Sequence, residues 1–427
     1  MPARRSASRW PARDEANLER PNASHWRAGE QMTSRSAHDP AMRRVPTMAG
    51  PIQRAPQRRA AAPPARARTR RTSRRPTSRV LLRRWVVLVG VIVLGAFSLN
   101  AALASSPTQK GAPAAGGTAA SVRTTTRLVV STEPWHLQAP VSRAVVVPDG
   151  ASFLILGGLA TGDTSTGAIW KVDPTTGSAI SAGSLVTPVH DAAGAMLARS
   201  AFVFGGGSYS TVATVQALRP HATVAGTVAS MPTGRSDLST VTLGNRAYIL
   251  GGYTGTALEP QILSTTTGTS FAPAGQLAQP VRYGAVAALN HQIYVIGGIV
   301  GTTESAAAQT RVIQRFDPAT GKTTVIGHLP VPLAYAAAVA LGGRLYVLGG
   351  RSGASLSSHI WQISPSSGKA SVVGTMASPR SDAGVVMLNH TAYLVGGETT
   401  GPLAPLSSVV SVRLVTTRIT THRRGGQ

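Results

Sequence analysis

From about residue 126 onward the chain is built of apolar runs of four to six residues, broken by clusters of Gly, Thr, Ser and Asn. Runs this short, rich in β-branched residues and bounded by turn formers, read as strands, and no stretch keeps a helical period. One unit recurs six times. Its clearest part is an apolar run ending in a glycine doublet: FLILGG, FVFGG, YILGG, YVIGG, YVLGG and YLVGG, with the doublets at Gly157-Gly158, Gly205-Gly206, Gly251-Gly252, Gly297-Gly298, Gly349-Gly350 and Gly396-Gly397. Successive first glycines are 48, 46, 46, 52 and 47 residues apart. Before each run lies a turn (PDGAS, LARSA, LGNRA, LNHQI, LGGRL, LNHTA) that joins it to another apolar strand. Two more strands follow, and Pro188, Pro232, Pro280, Pro332 and Pro379 open the next unit. Each unit is therefore expected to be a four-stranded antiparallel sheet.

The period, the aromatic residue three before the doublet (Phe202, Tyr248, Tyr294, Tyr346, Tyr393) and turns such as Phe316-Asp317-Pro318-Ala319-Thr320-Gly321 resemble those of kelch repeats. The resemblance covers residues 126 to 417 and is to the six-bladed, secreted or membrane-anchored bacterial type. It implies an all-β fold, a six-bladed kelch-type β-propeller with the doublets as structural glycines. Departures are plain: the usual fourth-strand Trp survives only as Trp135, and the Asp-Pro turn is lost in the second and third repeats. The last unit, ending in SVVSVRLV (408–415), is one strand short, and TRLVVSTEPWHL (126–137) is expected to supply it. Closure matters because an open sheet edge leaves backbone groups unpaired.

Composition divides the rest. Half of the 42 basic residues lie in the first 84 positions, against 5 acids, and residues 1–84 have no sustained apolar period. They are expected to be a disordered, Arg-rich cytoplasmic tail. With only Trp10 and Trp26 among its aromatics, the tail is not expected to bind nucleic acid specifically. Residues 85–104, WVVLVGVIVLGAFSLNAALA, carry no charge and abut Arg83 and Arg84. Twenty such residues span a bilayer core of about 30 Å. The flanking charge predicts a single-pass anchor with the N-terminus cytoplasmic and everything after it translocated. The alternative is secretion after cleavage near Ala104, where Ala102-Leu103-Ala104 resembles a signal-peptidase site. Residues 105–125 read as a flexible linker and 418–427 as a C-terminal tail. The chain has no cysteine, which excludes disulfides, thiolate metal sites and a cysteine nucleophile.

Candidate chemistry gathers just after the repeat prolines: Arg143, His190 with Asp191, Arg235 with Asp237, Arg282 with Tyr283, Tyr335, and Arg380 with Asp382. In kelch-like propellers this segment leads into the innermost strand, so the resemblance implies that these side chains line one mouth of the central channel. Four arginines, Arg143, Arg235, Arg282 and Arg380, would then converge on a carboxylate or acidic glycan. In the competing reading each Arg pairs with an Asp and closes the channel. His291 and His390 sit in equivalent turns and are expected to be exposed; no metal site and no cofactor are expected. The leading expectation is a monomeric, extracytoplasmic binding module for a protein, glycan or cell-wall component. One alternative is a carbohydrate-active enzyme of epimerase or mutarotase type, drawing its acid and base from Asp191, Asp237, Asp382 and Glu398. Another is a membrane sensor with a basic cytoplasmic tail.

Overall fold

The computed structural model describes residues 120–303, 308–399 and 404–422. All of them lie in the compact unit Gly111–Gln427. The expected tail 1–84 and hydrophobic segment 85–104 lie outside the described residues. Among those described, no helix is long and apolar enough to cross a membrane.

The fold is all-β. Apart from two short hairpins, the strands form four-stranded antiparallel modules. In the first module Val145–Asp149, Ser152–Leu156, Ala168–Val172 and Ala179–Leu185 pair in sequence order. Equivalent modules begin at Ala193–Leu197, Ser239–Leu243, Ala285–Leu289, Ala337–Leu341 and Gly384–Leu388. The first two share one eight-stranded sheet, because Val224 and Ala225 pair in parallel with Ser184 and Leu185. The inner strands form a circuit, each beside the next, and Gly384–Leu388 returns to Val145–Asp149.

The apolar runs are continuous because both faces of each sheet are covered. In the second strands SFLIL, SAFVF, RAYIL, QIYVI and RLYVL the last four residues are buried in succession. The core is correspondingly a set of clusters, each shared by two neighbouring modules. One joins Leu154, Leu156 and Ile169 of the first module to Ala201, Val203 and Leu218 of the second. The cluster at the seam between the last and first modules joins Val386, Leu388 and Val409 to Phe153, Ile155 and Val172.

The last module is completed from the other end of the chain. Ala120–Val141 pairs antiparallel with Leu406–His422, which pairs in turn with Thr391–Val395. Thr132 lies opposite Val410, and Leu128 opposite Leu414. The ladder exceeds the expected limits, running from Ala120 opposite His422. Residues 120–125 are thus strand and not linker, and 418–422 are strand and not tail. The Thr, Val and Ile residues on both sides favour an extended ladder that composition alone had assigned to a spacer.

Candidate functional site

The doublet glycines are the joints between modules. All twelve have positive φ. The amide of each second glycine donates to a carbonyl in the entry segment of the next module: Gly158 to Val189, Gly206 to Arg235, Gly252 to Val281, Gly298 to Leu333, Gly350 to Arg380 and, across the seam, Gly397 to Val141, at 2.8 to 3.0 Å. A side chain at the first glycine would collide with that same carbonyl. At Gly297 a Cβ would sit 2.1 Å from Leu333 O.

Each acceptor carbonyl opens a three-residue entry: Val141-Ser142-Arg143, Val189-His190-Asp191, Arg235-Ser236-Asp237, Val281-Arg282-Tyr283, Leu333-Ala334-Tyr335 and Arg380-Ser381-Asp382. The middle residue forms a backbone bridge with the residue after a doublet, as Ser142 does with Leu159 and Ser381 with Glu398. The third residue faces the channel. These six third residues all have φ between 51° and 59°, although none is glycine. They are held there by a closed ring of backbone hydrogen bonds. Asp191 N donates to Arg143 O, Asp237 to Asp191, Tyr283 to Asp237, Tyr335 to Tyr283, Asp382 to Tyr335 and Arg143 to Asp382, at 2.8 to 3.2 Å. Left-handed backbone at non-glycine residues costs energy and gathers where surrounding structure imposes a geometry, often a functional one.

The ring residues line a cavity of about 140 Å³ at this mouth, floored by small residues such as Ala144, Gly284 and Ala383. Beyond it the channel is walled by Val146, Gly194, Val286 and Val385 and ends in a second, apolar mouth that includes Pro148, Met196 and Met387. One mouth is therefore polar and aromatic, the other apolar.

The expected convergence of four arginines is not found. Only Arg143 occupies the ring. Arg235 and Arg380 stand two positions earlier, where the other entries carry Val or Leu, and point between modules. Arg235 is fully buried, donates to Gly251 O and Gln261 O (3.3 and 2.9 Å) and lies 3.7 Å from Glu259. Arg380 donates to Gly396 O, to Ser408 O (2.9 Å) and to Ser408 Oγ (2.7 Å). Burial lowers the pKa of both, to about 10 for Arg380, which leaves that guanidinium charged at neutral pH. Arg282, one position earlier than the ring, is buried against Asp237 (3.0 Å), donates to Thr302 O and lies over the Tyr253 ring. The left-handed turn at the third residue of each entry gives the channel to that residue alone, so Arg282, one position before it, and Arg235 and Arg380, two before it, are directed between modules.

The remaining candidates do meet. Arg143 donates to Asp191 (3.1 Å) and approaches Asp382 (3.8 Å) and buried Glu398 (3.4 Å). Although burial opposes its charge, Asp191, Asp382, Tyr283 and Glu398 hold the guanidinium above its ordinary range. Tyr283 Oη donates to Asp191, and its ring lies 4.4 Å from that of Tyr335. His190 bonds Ser165 through Nδ1 and stands 3.7 Å from Asp191. His291 and His390 are exposed hairpin residues with positive φ.

Two participants were not singled out as part of this network from sequence. Arg351 bonds Glu398 (3.0 Å) and reaches Asp382 (4.0 Å), and Tyr253 supports Arg282. Both directly follow a doublet, as Glu398 does. That position carries Leu159, Gly207, Tyr253, Ile299, Arg351 and Glu398, so the adjacent Arg and Glu were a readable signal.

Asp382 stands apart. Burial pushes its carboxyl up to about 7, with Arg143 opposing and Glu398 reinforcing the rise. Its Oδ2 is buried and accepts no hydrogen bond. Because the folded-state value lies above the ordinary value of about 3.9, the stability that protonated Asp382 contributes is complete below about pH 4 and lost as pH rises to about 7. The melting temperature is expected to fall over that window, and Asp382→Asn is expected to remove that component. Parallel profiles for the two proteins would show that Asp382 does not titrate there.

Comparison with known proteins bears on the fold. Residues 332–376 match the family model described as Kelch motif. No curated protein matches the chain. Among solved structures, that of YjhT aligns with a TM-score of 0.57 at 16% identity, over 66% of this chain and 99% of that one. Identity at that level speaks to architecture alone. The chain has the fold of a kelch-type β-propeller, and both comparisons support the kelch-repeat resemblance carried by its glycine doublets.

Proposed function

We propose that the protein is an extracytoplasmic binding module: a six-bladed propeller, held to the membrane by residues 85–104, that takes a protein, glycan or cell-wall ligand at its polar channel mouth. The observation that carries this reading is the ring of Arg143, Asp191, Asp237, Tyr283, Tyr335 and Asp382 around an open cavity. Six strained backbone positions fix six side chains from six modules towards one point, which preorganises them for a ligand. Arg143 and Arg282 are engaged by carboxylates, so an acidic ligand would have to displace internal ion pairs. The tyrosine pair and the carboxylate edges suit hydroxyl-rich or amide-rich ligands instead.

A second reading, a carbohydrate epimerase or mutarotase, is favoured by Asp382 alone. A carboxyl that titrates near neutrality at a cavity wall could exchange protons with a sugar hydroxyl. A glycan array and a peptide array probed with the whole chain, followed by a mutarotation assay on each glycan hit, separate the two. Binding without turnover supports the module, turnover abolished by Asp382→Asn supports the enzyme, and no hit on either array counts against both.

A further inference from the structure

The closing ladder continues past the blade it completes. Thr391 pairs with Arg413 at the limit of the neighbouring strand, and beyond that point only Ala120–Leu128 and Leu414–His422 remain paired. This two-stranded ribbon is nine residue pairs long, about 30 Å at about 3.3 Å per residue. A two-stranded ladder in water is marginal without a covering surface, yet residues 123–127 and 416–420 are exposed. Its charge has one sign. Arg123, Arg127 and Arg418 stand on it, exposed Arg413 stands at its root, and neither strand of the ribbon contains Asp or Glu. Register puts Arg123, Arg127 and Arg413 on the same face, because Arg123 opposes Ile419, Arg127 opposes Val415, and Val129, two residues beyond Arg127, opposes Arg413. Arg418, opposite Thr124, lies on the other face with Leu128 and Leu414, and those two leucines pack against the buried cluster of the last two modules.

We propose that this ribbon is a membrane-contact element that binds anionic phospholipid headgroups through Arg123, Arg127 and Arg413. Placement and charge both favour a lipid surface. The hydrophobic run ends at Ala104, and the 15 residues to the start of the ribbon reach at most about 50 Å, so an anchored chain would hold the ribbon beside the bilayer. That reach includes positions within a Debye length of the surface, about 10 Å, where clustered basic residues bind anionic headgroups additively. The inference rests on the proposed anchor only for this proximity.

The test exploits the absence of cysteine. Thr125→Cys, on the arginine face, takes a single fluorophore in the full chain, which is reconstituted into phosphatidylcholine nanodiscs with or without about 30% phosphatidylglycerol and a headgroup-quenching lipid. Quenching is expected in the phosphatidylglycerol discs and is expected to fall to background in pure phosphatidylcholine, in about 0.5 M NaCl, and in the Arg123→Ser, Arg127→Ser, Arg413→Ser triple variant. An unquenched label, or quenching indifferent to lipid charge, salt and the three arginines, overturns the proposal. Should the chain fail to enter discs, the anchor has failed and not the ribbon. The soluble chain is then sedimented with phosphatidylglycerol vesicles, where binding about 100-fold weaker in the triple variant upholds the proposal. No binding, or tighter binding to duplex DNA than to vesicles, overturns it.

Discussion

A chain lacking residues 126–137 is expected to lose cooperative unfolding. This segment carries the pairs from Thr126 opposite Thr416 to Thr132 opposite Val410, so its removal strips one edge from Leu406–His422. It also removes Leu137, which is buried at the seam, and Leu128 and Val130, which pack on the last two modules. Trp135 covers the turn at Gly177, where a Cβ would fall 2.2 Å from its ring. Loss of three buried or half-buried apolar side chains and a strand of backbone pairing amounts to about 5 kcal/mol or more, comparable to the whole stability of an ordinary domain. Calorimetry decides it: a broad, low-enthalpy transition is expected, and a sharp transition within a few degrees of the intact chain would refute the closure.

Gly396→Ala is expected to be the most damaging single substitution at the same seam. Gly396 has φ +62°, and a Cβ there would lie 2.0 Å from Val141 O, a backbone atom that cannot turn aside. Strain and collision together should cost about 3 kcal/mol or more. Gly150 supplies the control, with φ +65° in the first hairpin turn and no atom within 4 Å of the place a Cβ would take. Gly150→Ala should cost only about 1 kcal/mol, the backbone contribution by itself. Denaturant titration of both variants separates the contributions; equal losses would mean that the seam relaxes and that Gly396 is kept for its φ alone.

The positions legible in the sequence were those that repeat identically. Gly157 to Gly397 recur because every joint needs the same φ and the same clearance, and the missing strand could be counted from the last repeat. The channel mouth was legible only in part. Asp191, Tyr283 and Arg143 do lie at the ring, whereas Arg235 and Arg380 were grouped with them because they too follow a repeat proline. The left-handed turn at the third residue separates the directions of side chains two apart, and the two buried arginines occupy sites that Val141, Val189, Val281 and Leu333 fill elsewhere. Arg351 was missed although it was readable: its partner Glu398 lies 47 residues away, but both directly follow a glycine doublet in neighbouring modules. The ribbon was obscured by composition, since residues 120–125 and 418–422 read as linker and tail until Thr124 is seen opposite Arg418 and Ala120 opposite His422.

Localisation of the ligand to the polar mouth is tested most directly by calorimetric titration of an array-positive ligand into the whole chain and three variants. Tyr283→Ala with Tyr335→Ala, and separately Asp382→Asn, should each weaken binding about 10-fold or more through lost stacking or a lost hydrogen bond. Met387→Ala, at the apolar mouth, should leave the dissociation constant within about twofold, the effect of a site with no shared contact. The reverse pattern, with Met387→Ala abolishing binding and the ring variants leaving it intact, would contradict the assignment of the functional face.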